Sequence, residues 1–154
     1  MDVPRTLRTW LLVHAAVATA AGLPLLAAPE LALGRIGWTC VDPVSARLLG
    51  AALLALGAQS FFVRDAGVPL TRAVLRLNLV WSLASAVGLF VGIGASAPNA
   101  AWIALSTQIA FAGVWLHHAI RFRQLERVGE LDASSPEGAA EDGGEAAGPN
   151  AEDD

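Results

Sequence analysis

The sequence is poor in the residues on which many small enzymes and metal sites depend. Among its 154 residues it has a single cysteine, Cys40, and neither lysine nor tyrosine. One thiol excludes an intramolecular disulfide and a zinc site built on cysteines, since both need at least two thiolates. The chain also lacks a GxSxG elbow, an HExxH motif and a glycine-rich phosphate loop. These absences favour a protein without a metal centre and without catalytic activity.

Apolar residues dominate what is present. The residues AVILMFWYC make up 55% of the chain, and there are 15 glycines besides. Residues 77–120 include no charged residue in 44 positions. As one helix this stretch would be about 66 Å long, whereas the hydrocarbon core of a bilayer is about 30 Å thick. The chain therefore has to turn, and Ser96-Ala97-Pro98-Asn99 suits a turn. The predicted membrane spans are residues 10–28, 44–63, 77–94 and 101–120.

The ten arginines predict the orientation of these spans. Eight flank one side of the predicted bundle, and only Arg35 and Arg47 flank the other. Short loops that stay in the cytoplasm keep their positive charge. The sequence thus predicts an all-α integral membrane protein, a four-helix transmembrane bundle in the cell membrane with both termini cytoplasmic. The eight arginines are Arg5, Arg8, Arg64, Arg72, Arg76, Arg121, Arg123 and Arg127.

The loop between the first two spans, residues 29–43, has helix signals of its own. Pro29 followed by Glu30 suits the first turn of a short helix lying at the membrane surface. Asp42 and Pro43 are typical N-cap and N1 residues for the second span. We therefore expect an external loop that is partly ordered.

The end of the chain differs sharply in composition. Residues 128–154 hold nine acids and no base, whereas residues 1–127 carry a net charge of +5. With few large apolar residues, such a segment has nothing to form a core. We predict a transmembrane domain over 1–127 and a disordered acidic cytoplasmic tail over 128–154, either a solvating extension or an arm for a basic partner. Nucleic acid is disfavoured as a partner, because the membrane orientation already explains why the arginines lie on the cytoplasmic side and the adjacent tail is strongly acidic.

Several polar side chains fall inside the predicted spans, where hydrocarbon offers no hydrogen-bond partner. No aspartate or glutamate is among them, which disfavours carboxylate-driven proton or cation exchange. Counting from the helix ends places His14, Gln59, Asn78 and His117 in one layer on the cytoplasmic side, and Gln108 near the midplane. The predicted polar layer of the bundle consists of His14, Gln59, Asn78, Ser82, Gln108 and His117.

Two interpretations of this layer remain open. In the first, the polar groups form hydrogen bonds between closely packed helices of a non-catalytic accessory or structural protein without a cofactor, which packs with itself or with a larger membrane partner. In the alternative, His14 and His117 ligate a haem, or the layer lines a quinone or lipid pocket of a membrane redox subunit. Small residues that would allow close helix packing recur at Gly50 and Gly57 on the second span and at Ala84, Gly88 and Gly92 on the third.

One segment resembles a known group of proteins. It contains Pro29-Glu30-Leu31, then Gly37-Trp38, and then Ala46-Arg47-Leu48-Leu49-Gly50-Ala51-Ala52-Leu53-Leu54-Ala55-Leu56-Gly57. This stretch resembles small four-span prokaryotic membrane proteins of the DoxX-like type. The resemblance implies a four-helix membrane architecture. It implies no catalytic residue, because this broad group has no agreed catalytic motif.

The arginine distribution makes the loop that contains Cys40 external. We expect a membrane-impermeant maleimide to label Cys40 as fully in intact cells as in permeabilised cells. A Ser96→Cys substitution in a Cys40→Ser background provides a second position on the same predicted side. Labelling that needs permeabilisation at both positions would contradict this topology.

Overall fold

The computed structural model describes residues 4–94 and 97–133, which form helices joined by short loops and include no strand. The helices are α1 (Arg5–Ala27), α2 (Pro29–Arg35), α3 (Pro43–Val63), α4 (Val68–Gly94) and α5 (Ala100–Ala133). All except α2 are long and apolar enough to cross a membrane. This confirms the prediction of an all-α protein with four candidate spans.

The long helices coincide with the predicted spans but extend beyond them. α4 begins at Val68 rather than at residue 77. α5 continues to Ala133, past the predicted boundary at residue 127, through the strong helix formers Gln124-Leu125-Glu126-Arg127. The predicted tail therefore starts within a helix, and its remainder, residues 134–154, lies outside the described residues. The chain divides into two units, residues 1–119 and 120–154. In the second unit, Phe122 of α5 is buried.

The segment before α3 has the helix signals that the sequence predicts. Pro29 occupies the first turn of α2 and Glu30 lies beside it, near the positive end of the helix dipole. Asp42 caps α3, because its carboxylate accepts hydrogen bonds from the backbone N–H groups of Val44 at 3.1 Å and Ser45 at 3.2 Å, and from the Ser45 hydroxyl. The Ser45 hydroxyl, followed by the two N–H groups, holds the pKa of Asp42 below its ordinary value. The cap is therefore ionised at neutral pH.

The helices of the first unit run alternately up and down. Arg8 of α1 forms an ion pair with Asp65, which follows α3, at 3.8 Å. At the opposite end, a Cβ added to Gly37 would lie 3.1 Å from Pro98, so the loop before α3 lies beside the turn before α5. Gly37 has φ +94°, a left-handed conformation that favours glycine. The two ends are called here the Asp65 end and the α2 end.

α1 and α3 pack so closely that their backbones touch. A Cβ added to Gly50 would lie 2.8 Å from the carbonyl oxygen of Gly22 and 2.8 Å from the backbone nitrogen of Leu26. One added to Gly57 would lie 3.2 Å from the carbonyl oxygen of Ala15. The close packing predicted for Gly50 and Gly57 is therefore confirmed. The buried residues of α3 form one stripe consisting of Ala46, Gly50, Gly57, Ser60 and Val63.

α4 and α5 lie farther from this pair. Within the described part of the first unit, no Cα atom of α5 comes within 8 Å of a Cα atom of another helix. The predicted small-residue contact of α4 is not formed either, because a Cβ added to Gly88 or Gly92 would have no neighbour within 4 Å. The second half of α4 is therefore left without a close helix partner. The buried residues of α4 all lie in its first part and are Thr71, Val74, Leu75, Asn78 and Ser82.

The backbone contact at Gly50 predicts a strong preference for glycine. We expect Gly50→Ala to destabilise the protein by about 1–3 kcal/mol, since the new methyl group would overpack against main-chain atoms that cannot rotate away. Gly113→Ala is the matched control, because a Cβ there meets no atom within 4 Å. Alanine favours a helix over glycine by about 1 kcal/mol, so this control should be neutral or stabilising. Thermal unfolding in detergent measures both, and a Gly50→Ala protein as stable as the control would contradict the close α1–α3 contact.

Candidate functional site

Three helices meet at a buried group of side chains, called here the polar network, which consists of His14, Gln59, Ser60 and Asn78. His14 Nδ1 lies 2.9 Å from Ser60 Oγ, and Asn78 Nδ2 donates to the same oxygen at 3.3 Å. Gln59 Nε2 donates to Asn78 Oδ1 at 3.5 Å. Ser60 Oγ accepts from Asn78 and keeps one proton and one lone pair, so the direction of its bond with His14 Nδ1 is set by the tautomer of the imidazole. The network thus joins α1, α3 and α4.

α5 contacts the same histidine through two aromatic rings. The ring centre of His14 lies 5.0 Å from that of Phe111 and 5.3 Å from that of Trp115, and both pairs are nearly perpendicular. Phe111 and Trp115 stack on each other with an interplanar angle of 8°. Edge-to-face aromatic pairs are favourable by about 0.5–1.5 kcal/mol beyond the area they bury. His14 therefore contacts residues of every other long helix, directly or through Ser60.

The structure brings together half of the predicted polar layer. His14, Gln59 and Asn78 meet as the layer requires, and the oxygen that links them belongs to Ser60, which the sequence analysis did not single out. A signal for Ser60 was present, since it lies three residues after Gly57 and extends the small-residue stripe of α3.

Two other members of the predicted layer are buried or half-buried outside this network. Ser82 lies one turn after Asn78 on α4 and is fully buried, and its hydroxyl has no hydrogen-bond partner among the described residues. Gln108 lines a cavity that His14 also lines. Neither Ser82 nor Gln108 forms a hydrogen bond between helices among the described residues.

The structure does not bring His14 and His117 together. His117 is exposed, and its ring lies 5.4 Å from that of its neighbour His118, which is buried. A haem held by two histidines needs both imidazoles to face one space. The described contacts place His14 inside the bundle and His117 on its surface. Within the described ranges, no group of three or more His, Cys, Asp or Glu residues is placed to hold a metal ion.

A cavity of about 880 Å³ lies among the four long helices and the loop before α3. Trp38, Cys40 and Asp42 border it at the α2 end, and His14 and Phe111 border it at its deep end. Such a volume falls within the range of about 300–1,000 Å³ found for ligand sites. Asp42 is the only formally charged residue among the described residues that line it. The cavity exists because α4 and α5 stand off from α1 and α3.

The polar lining residues lie at the mouth, with Asp42 and Ser45, and in the deeper half, which is called here the base and includes Ser85, Thr107, Gln108 and His14. With a rise of about 1.5 Å per residue from the α2 end, Ser85 and Gln108 lie about 12–14 Å deep, and His14 and Trp81 about 20 Å deep. The wall between this base and the mouth is made of small and aliphatic residues. It consists of Ala20, Ala21, Leu49, Leu53, Gly88, Leu89, Gly92, Ala101 and Ala104 together with Val17, Pro24 and Leu25.

No protein-family model, curated protein or solved structure matches the chain. The resemblance to DoxX-like membrane proteins therefore stays a prediction. The function is therefore inferred from the polar network and the cavity.

If the polar network joins the helices, its members should be energetically coupled. We expect Ser60→Ala and Asn78→Leu to show a coupling of about 0.6–1.7 kcal/mol in a double-mutant cycle, the range for hydrogen bonds between membrane helices. Reversible unfolding in mixed micelles provides the four free energies. Pairing Asn78→Leu with Ser85→Ala is the control, because no hydrogen bond joins those two side chains. Strict additivity for Ser60 and Asn78 would contradict the network.

Proposed function

We propose that this protein is a small multi-pass protein of the cell membrane that binds a lipid-class molecule in the cavity, with the polar network holding the bundle together around it. The observation that carries the proposal is the cavity itself, with its apolar wall and uncharged base. A molecule that fills it has to be mainly apolar, because a hydrated one would lose its hydrogen bonds to water against alanine, leucine and glycine.

The bilayer around the protein supplies mainly apolar molecules of the kind that the cavity requires. A lipid that enters from the bilayer leaves one apolar surrounding for another, so area burial alone provides little driving force. Shape and hydrogen bonds at the polar ends of the cavity then select the molecule. The exposed side chains on the second half of α4, including Val87, Phe90 and Val91, support contact with bilayer lipids.

The arginines of the first unit support an orientation with the N-terminus in the cytoplasm. Arg35 and Arg47 lie at the α2 end, whereas the other five lie towards the Asp65 end. Positive charge is retained on the cytoplasmic side. The Asp65 end is then cytoplasmic, and the mouth of the cavity opens on the external side. The five are Arg5, Arg8, Arg64, Arg72 and Arg76.

This proposal combines parts of the two interpretations of the sequence. It keeps a non-catalytic accessory role for the protein and a structural role for the polar network. It takes the lipid pocket from the alternative and leaves out a haem held by two histidines, because His14 is the one imidazole among the described residues that line the cavity. A visible spectrum checks this choice. A Soret band that His14→Gln abolishes would favour the haem alternative instead.

Filling the cavity should displace the ligand without unfolding the bundle. Gly88 lines the cavity and a Cβ there meets no atom within 4 Å, so Gly88→Phe places a ring in the cavity space. Gly113→Phe is the matched control, because Gly113 also has open space around it but does not line the cavity. Native mass spectrometry should detect a bound lipid on the wild-type and Gly113→Phe proteins, and Gly88→Phe should lose it while keeping its helical circular-dichroism spectrum and a cooperative unfolding transition. Equal lipid content in all three, or none in the wild type, would contradict the proposal.

A further inference from the structure

We propose that the cavity selects a lipid with an uncharged hydroxyl head, which hydrogen-bonds to Gln108 and Ser85 at the base while its chain runs towards the α2 end. This inference rests on the proposed lipid-binding function and adds the chemistry of the head group. Three properties of the cavity carry it: its charge, its hydrogen-bonding groups and the free space along its wall.

The charge of the lining disfavours an anionic head at either end. The base offers no positive side chain among the described lining residues, so a carboxylate or phosphate there would lie in an apolar surrounding without a counter-charge. At the mouth such a head would meet the ionised carboxylate of Asp42. The lining residues therefore offer no counter-charge to a fatty acid or an anionic phospholipid.

The base offers hydrogen bonds of both kinds. The side chains of Gln108 and Ser85 both line the cavity, are half-buried, and make no hydrogen bond to the described residues. A carboxamide has two N–H donors and a carbonyl acceptor, and a serine hydroxyl donates and accepts. A ligand hydroxyl also donates and accepts, so it can bond to either side chain as donor or as acceptor. A hydrocarbon end would leave them unpaired in an apolar surrounding, which is costly.

The cavity has room for the hydrocarbon chain of a lipid between Ser85 and the α2 end. Gly88 and Gly92 lie between Ser85 and the α2 end, and no atom lies within 4 Å of the Cβ position of either. On the other side of Gln108 the base is closed by Phe111 and His14, which contact each other. A head at the base therefore has its chain directed to the α2 end.

A series of lipids with one chain and different heads tests this inference. Dibrominated octadecyl chains ending in an alcohol, a carboxylate, an amine or a plain methyl group are titrated into the protein in nanodiscs at neutral pH. Binding is reported by the part of the tryptophan quenching that is lost in Trp38→Phe or Trp81→Phe, because these two residues line the cavity. The exposed Trp10 and Trp102 are quenched by any brominated lipid in the bilayer and provide the background. We expect the alcohol to bind at least tenfold more tightly than the other three.

The matched variants separate head selection from lipid binding. Gln108→Leu should abolish the preference for the alcohol, because the alcohol loses a hydrogen bond and the plain chain no longer leaves an amide unpaired. Gln124→Leu, which alters an exposed glutamine of the same helix outside the cavity, should bind like the wild type. If the carboxylate or amine binds as tightly as the alcohol, or if Gln108→Leu keeps the preference, the head-group proposal is overturned while lipid binding stands. If no compound quenches, lipid binding itself fails and this inference with it.

Discussion

The hydrogen bond between His14 and Ser60 is the interaction on which the rest of the bundle depends. In hydrocarbon the hydrophobic effect does not drive helices together, so packing and interhelical hydrogen bonds have to do so. Ser60 links α1 to α3 and, through Asn78, to α4, while the imidazole ring presents an edge or face to Phe111 and Trp115 of α5. One histidine thereby sets where four helices meet, and His14, Ser60 and Asn78 are all buried as a result.

Two kinds of helix contact determine the shape of the cavity, which lies on the α2 side of His14. Gly22 and Gly50 let α1 and α3 touch along their backbones, whereas Phe111 and Trp115 hold α5 away from His14 by the size of their rings. Helices that are close on one side and distant on the other enclose a cavity. The contacts that fix His14 and α5 at the deep end of the cavity therefore also keep α4 and α5 apart from α1 and α3 along its wall.

The sequence predicts the parts of this structure that depend on composition along one helix. Apolar runs locate the four long helices, Asp42 with Pro43 marks the start of α3, and the spacing of Gly50 and Gly57 indicates close packing. Composition and spacing along one helix do not show whether a given face of that helix points into the bundle or away from it. His117 and His118 have the same depth but lie about 100° apart around the helix, and only the packed structure distinguishes the exposed ring from the buried one. Gly88 and Gly92 likewise fit a helix contact or a cavity wall equally well, until the position of α5 is known.

If a lipid occupies the space among the four long helices, an experimental density map of the protein in lipid nanodiscs will show it. We expect elongated non-protein density along Gly92 and Gly88 that ends beside Gln108, with Asn78 and His14 both within hydrogen-bond distance of Ser60. A map in which α5 packs directly on Gly88 and Gly92, with no space between the helices, would contradict it.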